Sequence, residues 1–142
     1  MFGWNQRTIL VAATCLLILV SLPHAIEDFQ YGALVRLGVN PPLGIAILVI
    51  MYLLELGALR LILAGSTRAA LLLAFTGAIW CIGATLIHGH DLIFAGFGYR
   101  HGTISKLLEV LIIALGAGVA IIGVRVAYTR PAGHHVQQPK SH

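Results

Sequence analysis

The chain has 142 residues, 58% of them apolar and only 10% charged, with a mean hydropathy of +0.92. A soluble domain of this size needs more charge to cover its surface, so the composition excludes one and calls for lipid as the solvent. The formal charge of +4 is scattered without a basic run, which leaves no footprint for nucleic acid.

About 20 mainly apolar residues are needed for a helix to cross a bilayer. Four segments qualify, and the fold class expected is an all-α bundle of four transmembrane helices. The first span runs from Thr8 to about Ala25, with room to continue as a helix to Leu34. The stretch around Pro23-His24-Ala25 lacks the small-x-small pattern of a signal-peptidase site, and Thr14-Cys15 is a poor lipobox, so this span reads as an uncleaved helix. Asn40-Pro41-Pro42 cannot continue a helix but suits the start of one. The second span follows it, from Leu43 to about Ala64. Gly65-Ser66-Thr67 is a tight connection, which makes the second and third spans antiparallel neighbours. The third span runs from Arg68 to about His88, and the glycine-rich stretch from Ala95 to Gly102 reads as a loop. The fourth span covers Thr103 to Tyr128. Residues 1–130 thus form one four-span domain, and the polar tail from Pro131 to His142 is expected to be disordered.

Charge gives an expected orientation. One end of such a bundle holds Arg7, Arg60, Arg68, Arg125, Arg130 and Lys140 and no acid. The other holds Arg36, Arg100 and Lys106 together with Glu27, Asp28 and Asp91. The positive-inside rule places both termini in the cytoplasm of a multi-pass protein of the cell (inner) membrane.

Ionisable groups at membrane depth are costly and usually face the bundle interior. His24, Glu27, Asp28 and Tyr31 fall at i, i+3, i+4 and i+7, on one helical face. Cys81, Thr85 and His88 share a face of the third span, which Asp91 continues if the helix extends. Tyr52 and Glu55 share a face of the second, and Ser105 and Glu109 a face of the fourth. Four such stripes satisfy one another best by pointing inward, so a pocket is expected near the outer surface.

Neutral imidazoles suit zinc, copper and iron. His24, Glu27, His88, His90, Asp91 and His101 are therefore the candidate ligands of a transition metal or haem, with His88-Gly89-His90-Asp91 read as a histidine-rich turn. Di-iron bundles carry Glu-x-x-His on two helices; here the pair occurs once and reversed, as His24-x-x-Glu27. The plain alternative is a helix end leaving the membrane with its polar groups hydrated. Glu55 has no basic residue at i±3 or i±4. Glu109 has Lys106 at i−3 and Arg100 in the preceding loop as ion-pair partners. Cys15 and Cys81 read as small apolar residues, bridged only if the first and third spans meet at matching depth. Ala114, Gly116, Gly118 and Ala120, with Gly77 and Gly83, read as close-packing positions.

Asp28 four residues after His24, with Glu55 and Glu109 on neighbouring spans, is similar to the arrangement in membrane sterol isomerases. The likeness is an analogy, since the rest of the pattern differs. It implies acid–base chemistry of the isomerase or cyclase type on a lipid or isoprenoid, with Asp28, Glu55 and Glu109 as candidate catalytic groups. Three functions follow in order: a metal or redox-cofactor protein, such an enzyme, and an accessory subunit or transporter protomer that forms a homo-oligomer or joins a larger membrane complex.

Overall fold

The computed structural model describes residues 5–94 and 100–128. Within them the chain is all-α: α1 (Gln6–Gln30), a single turn α2 (Ala33–Arg36), α3 (Pro41–Leu63), α4 (Ala69–Phe94) and α5 (Thr103–Tyr128). The four long helices are each long and apolar enough to cross a membrane. The expected disorder of residues 131–142 lies outside the described residues, as does most of the loop before α5.

Local chemistry sets the helix ends. Asn5 and Asn40 are the N-caps of α1 and α3, each accepting a backbone N–H through its side chain, which satisfies one of the donors left over at a helix start. Pro41 and Pro42 occupy the first positions of α3, where no N–H is needed. The chain enters α3 through turns with Gly32 at φ +64° and Gly38 at φ +76°, and leaves it through Gly65 at φ +110°. Side chains rarely adopt such angles, so glycine belongs there.

One boundary falls within the range the sequence left open, and one differs from the sequence expectation. Helix α1 passes through Pro23 and runs to Gln30; a proline removes one backbone hydrogen bond, a loss that packed transmembrane helices tolerate. Helix α4 runs past His88 to Phe94, so His88-Gly89-His90-Asp91 is helix, not a turn. Polar residues alone do not mark a helix end when the helix projects to a polar boundary.

The core is made of Leu10, Leu17, Ala58, Ile62, Leu73, Ile112 and Val119, all fully buried or nearly so. Large apolar residues also cover the outside: Leu19, Leu63, Leu86 and Phe94 are each more than two-thirds exposed. That inversion is expected of a bundle whose outer solvent is hydrocarbon. Helix α4 packs most extensively on α5, and α1 also packs on α5; α3 lies mainly against α4. The α4–α5 seam is a close backbone approach. A Cβ on Gly77 would stand 2.8 Å from the Gly116 carbonyl oxygen, and one on Gly116 2.7 Å from that of Gly77. Gly123 meets Ala70 and Ala74 in the same way. Gly83 and Gly118, expected to share this work, meet nothing within 4 Å. At the opposite corner the Arg7 guanidinium donates to the Ile62 carbonyl, which pins the start of α1 to the end of α3. The cysteines are free, and Cys15 is exposed.

Candidate metal centre

The ends of α1 and α4 and the start of α5 meet at one end of the bundle. His24, Glu27, His88, Ser105 and Glu109 are buried there. Helical spacing explains the α1 contribution: His24, Glu27 and Asp28 lie on one face, and all three turn toward α4 and α5.

His88 is the hub. Its Nε2 lies 3.2 Å from His24 Nε2 and 3.2 Å from Asp28 Oδ2. Its Nδ1 lies 3.4 Å from Glu109 Oε1. His24 Nε2 is 3.6 Å from Asp28 Oδ2, and His24 Nδ1 is 3.6 Å from Glu27 Oε2. The two rings meet edge to face, at 74° with centroids 4.8 Å apart. A neutral imidazole has one N–H and one lone pair. If His88 Nδ1–H points at the Glu109 carboxylate, Nε2 presents its lone pair to His24 and Asp28.

A second tier fixes the acids. Arg100 Nη1 donates to Asp28 Oδ1 at 2.6 Å, and its guanidinium lies over the Tyr31 ring at 5.8 Å, within cation–π reach. The backbone of Arg100 has φ +44°, a left-handed angle uncommon for a side chain of this size. Ser105 Oγ donates to Glu27 and accepts the His101 N–H at 3.1 Å. Three acids thus surround two imidazoles, with Arg100 beside them and Lys106 one turn before Glu109 on α5. Glu27 and Asp28 also stand in the last turn of α1, where the helix dipole favours positive charge.

The structure therefore brings together His24, Glu27, Asp28, His88 and Glu109, and leaves three candidate ligands outside. His90 is 80% exposed, touching Asp91 Oδ1 at 3.5 Å and the Phe94 ring. The reason is helical: two residues advance about 200° around α4, so His90 turns away when His88 turns in. Asp91 follows it to the rim. His101 is exposed and stacks edge-on against Tyr31. Arg100, one of the two partners expected for Glu109, bonds to Asp28.

Glu55 belongs to a different polar pair. It is fully buried and accepts a 2.7 Å hydrogen bond from the Trp80 indole N–H, with Thr76 beside its carboxyl. The Trp80 ring leans on Tyr52, whose hydroxyl lies 3.1 Å from Ser21 Oγ. Sequence reading overlooked Trp80 and Ser21. An aromatic in an apolar run gives no sign of which acid its single donor will meet.

His24, His88 and Glu109 each offer a ligand atom, and these all lie within 4.8 Å of one another. Around His88 Nε2 the fit is closer. Zinc bonds of about 2.0–2.1 Å place neighbouring ligand atoms of a tetrahedron about 3.3–3.4 Å apart. The triangle His24 Nε2, His88 Nε2, Asp28 Oδ2 has sides of 3.2, 3.2 and 3.6 Å. The chain matches no protein-family profile, no curated protein and no solved structure, and the chemistry of this cluster is the remaining guide to function.

Proposed function

We propose that this membrane protein holds a transition-metal ion of the zinc, copper or iron class with His24, His88 and Asp28. The observation that carries the reading is the triangle of two imidazole nitrogens and one carboxylate oxygen at a tetrahedral ligand spacing, assembled from residues up to 64 positions apart. Glu109 then orients the His88 ring, the carboxylate–histidine–metal arrangement common at such centres. Arg100 does the same for Asp28, and Ser105 for Glu27. An ion is favoured over a haem because the imidazoles touch, leaving no slot for a porphyrin between them. Such an ion supplies Lewis acidity or, if redox-active, an electron. The arginine surplus at the far end supports, by the positive-inside rule, an outward-facing centre with both termini in the cytoplasm.

The test is elemental analysis and an optical spectrum of the purified full chain. About one ion per chain is expected, lost in His24→Ala and His88→Ala variants that keep their helical content. A fully helical, metal-free protein that takes up none of the three metals would overturn the reading. Acid–base chemistry on a lipid would draw on the same His24 and Asp28, and the cavity beside them gives that second reading its support.

A further inference from the structure

The face of α4 that looks toward α3 lacks bulk at Gly83 and Ala84. A Cβ added at Gly83 would meet nothing within 4 Å. The space left there is part of a cavity of about 200 Å³ between α1, α3 and α4. Its walls include Ile47, Met51, Ile79, Trp80 and Ile87, and its charged and imidazole lining is confined to His24, Asp28 and His88. The indole N–H of Trp80 is already given to Glu55, so Trp80 offers the cavity its ring face or edge. The cavity is therefore apolar along its length and polar at one end.

Three properties select an occupant. Apolar walls do not hold ordered water, which needs two to four polar partners; hydrocarbon fits them. The volume falls below the roughly 300–1,000 Å³ of pockets for drug-sized ligands, which suits a single chain rather than a two-chain lipid. At the polar end Glu27, Asp28 and Glu109 gather, and Asp28 already engages the Arg100 guanidinium. An anionic head would face these acids, whereas a neutral oxygen can meet an imidazole N–H or the proposed ion.

We infer that the cavity binds a single apolar chain ending in one neutral hydroxyl or carbonyl oxygen, with the chain against Ile47, Met51 and Trp80 and the oxygen at His24 and His88. This names the ligand class of the proposed centre and rests on that reading only for what the oxygen meets.

The full chain in phosphatidylcholine vesicles is exposed to three photoreactive probes: a medium-chain primary alcohol with a mid-chain diazirine, the matching carboxylic acid, and the matching alkane. Labelled peptides and bound metal are both measured. The alcohol should label the Ile47–Met51 and Gly83–Ile87 segments about tenfold more than the acid or the alkane, the margin set by matching a buried polar group. Gly83→Leu fills the space and should cut that labelling about tenfold, leaving bound metal unchanged. Equal labelling of the Gly83→Leu and parent proteins, labelling spread evenly over the lipid-facing surface, or equal labelling by the acid would each overturn the inference. Metal retained without selective labelling sinks this inference alone; selective labelling without metal sinks the metal reading alone.

Discussion

On one face of α4, Gly77 lets the backbone of α5 approach so closely that no side chain fits between them. Six residues on, about 240° around the same helix, Gly83 borders open space. One residue type thus does opposite things: it closes the α4–α5 seam and it hollows the α4–α3 face. The difference lies in the neighbour. Gly77 faces another glycine, Gly116, whereas Gly83 opens onto a cavity that Ile47 and Met51 of α3 also line. A small residue in a membrane helix is a contact only when its partner is small too.

The sharpest break of this comparison is Gly116→Leu. A leucine there must displace the Gly77 carbonyl and the Cys81 backbone, so a loss of about 3 kcal/mol or more is expected from overpacking against rigid main chain. Thermal unfolding followed by circular dichroism in detergent would show it; an unchanged midpoint would mean that the seam is not tight. Next comes Glu109→Gln, which keeps the shape but weakens the acceptor behind His88. Metal affinity should fall about 10–100-fold in competition with a chelator. No change would remove Glu109 from its orienting role. On the α3 side, Trp80→Phe strips Glu55 of its indole donor and should cost about 1–3 kcal/mol, with Glu55→Leu on top of it recovering part of the loss. Smallest is Gly83→Leu, expected to raise stability by about 1 kcal/mol through cavity filling and helix propensity. A large loss there would contradict the open space at Gly83.

The four helices were legible because apolar runs of membrane length are rare and turn residues punctuate them. The end of α4 was not, because His90 and Asp91 look the same in a helix end as in a turn, and the end of α1 was bracketed only between Ala25 and Leu34. The α1 face of the site could be read from i, i+3, i+4 spacing. His88 and Glu109 were found as inward stripes on their own helices, but their meeting at His24 depends on depth and rotation that no local pattern encodes. Arg100 shows the limit best: it stands 72 residues from Asp28 with no local pattern to link them, yet it bonds to that carboxylate. His90 failed for a simpler reason, since adjacency along the chain is divergence around a helix.

Helix α3 is bracketed by glycines at left-handed angles, Gly32 and Gly38 before it and Gly65 after it, while α4 and α5 are locked backbone to backbone. Freedom in this bundle is therefore unevenly shared. Helix α3 is held to its neighbours by side chains instead, through Arg7 to the Ile62 carbonyl, Tyr52 to Ser21 and Trp80 to Glu55. Hydrogen exchange would register that imbalance as earlier opening of amides in α3 than in α4, and alanine at Gly32, Gly38 or Gly65 would strain the turn it enters and widen the gap.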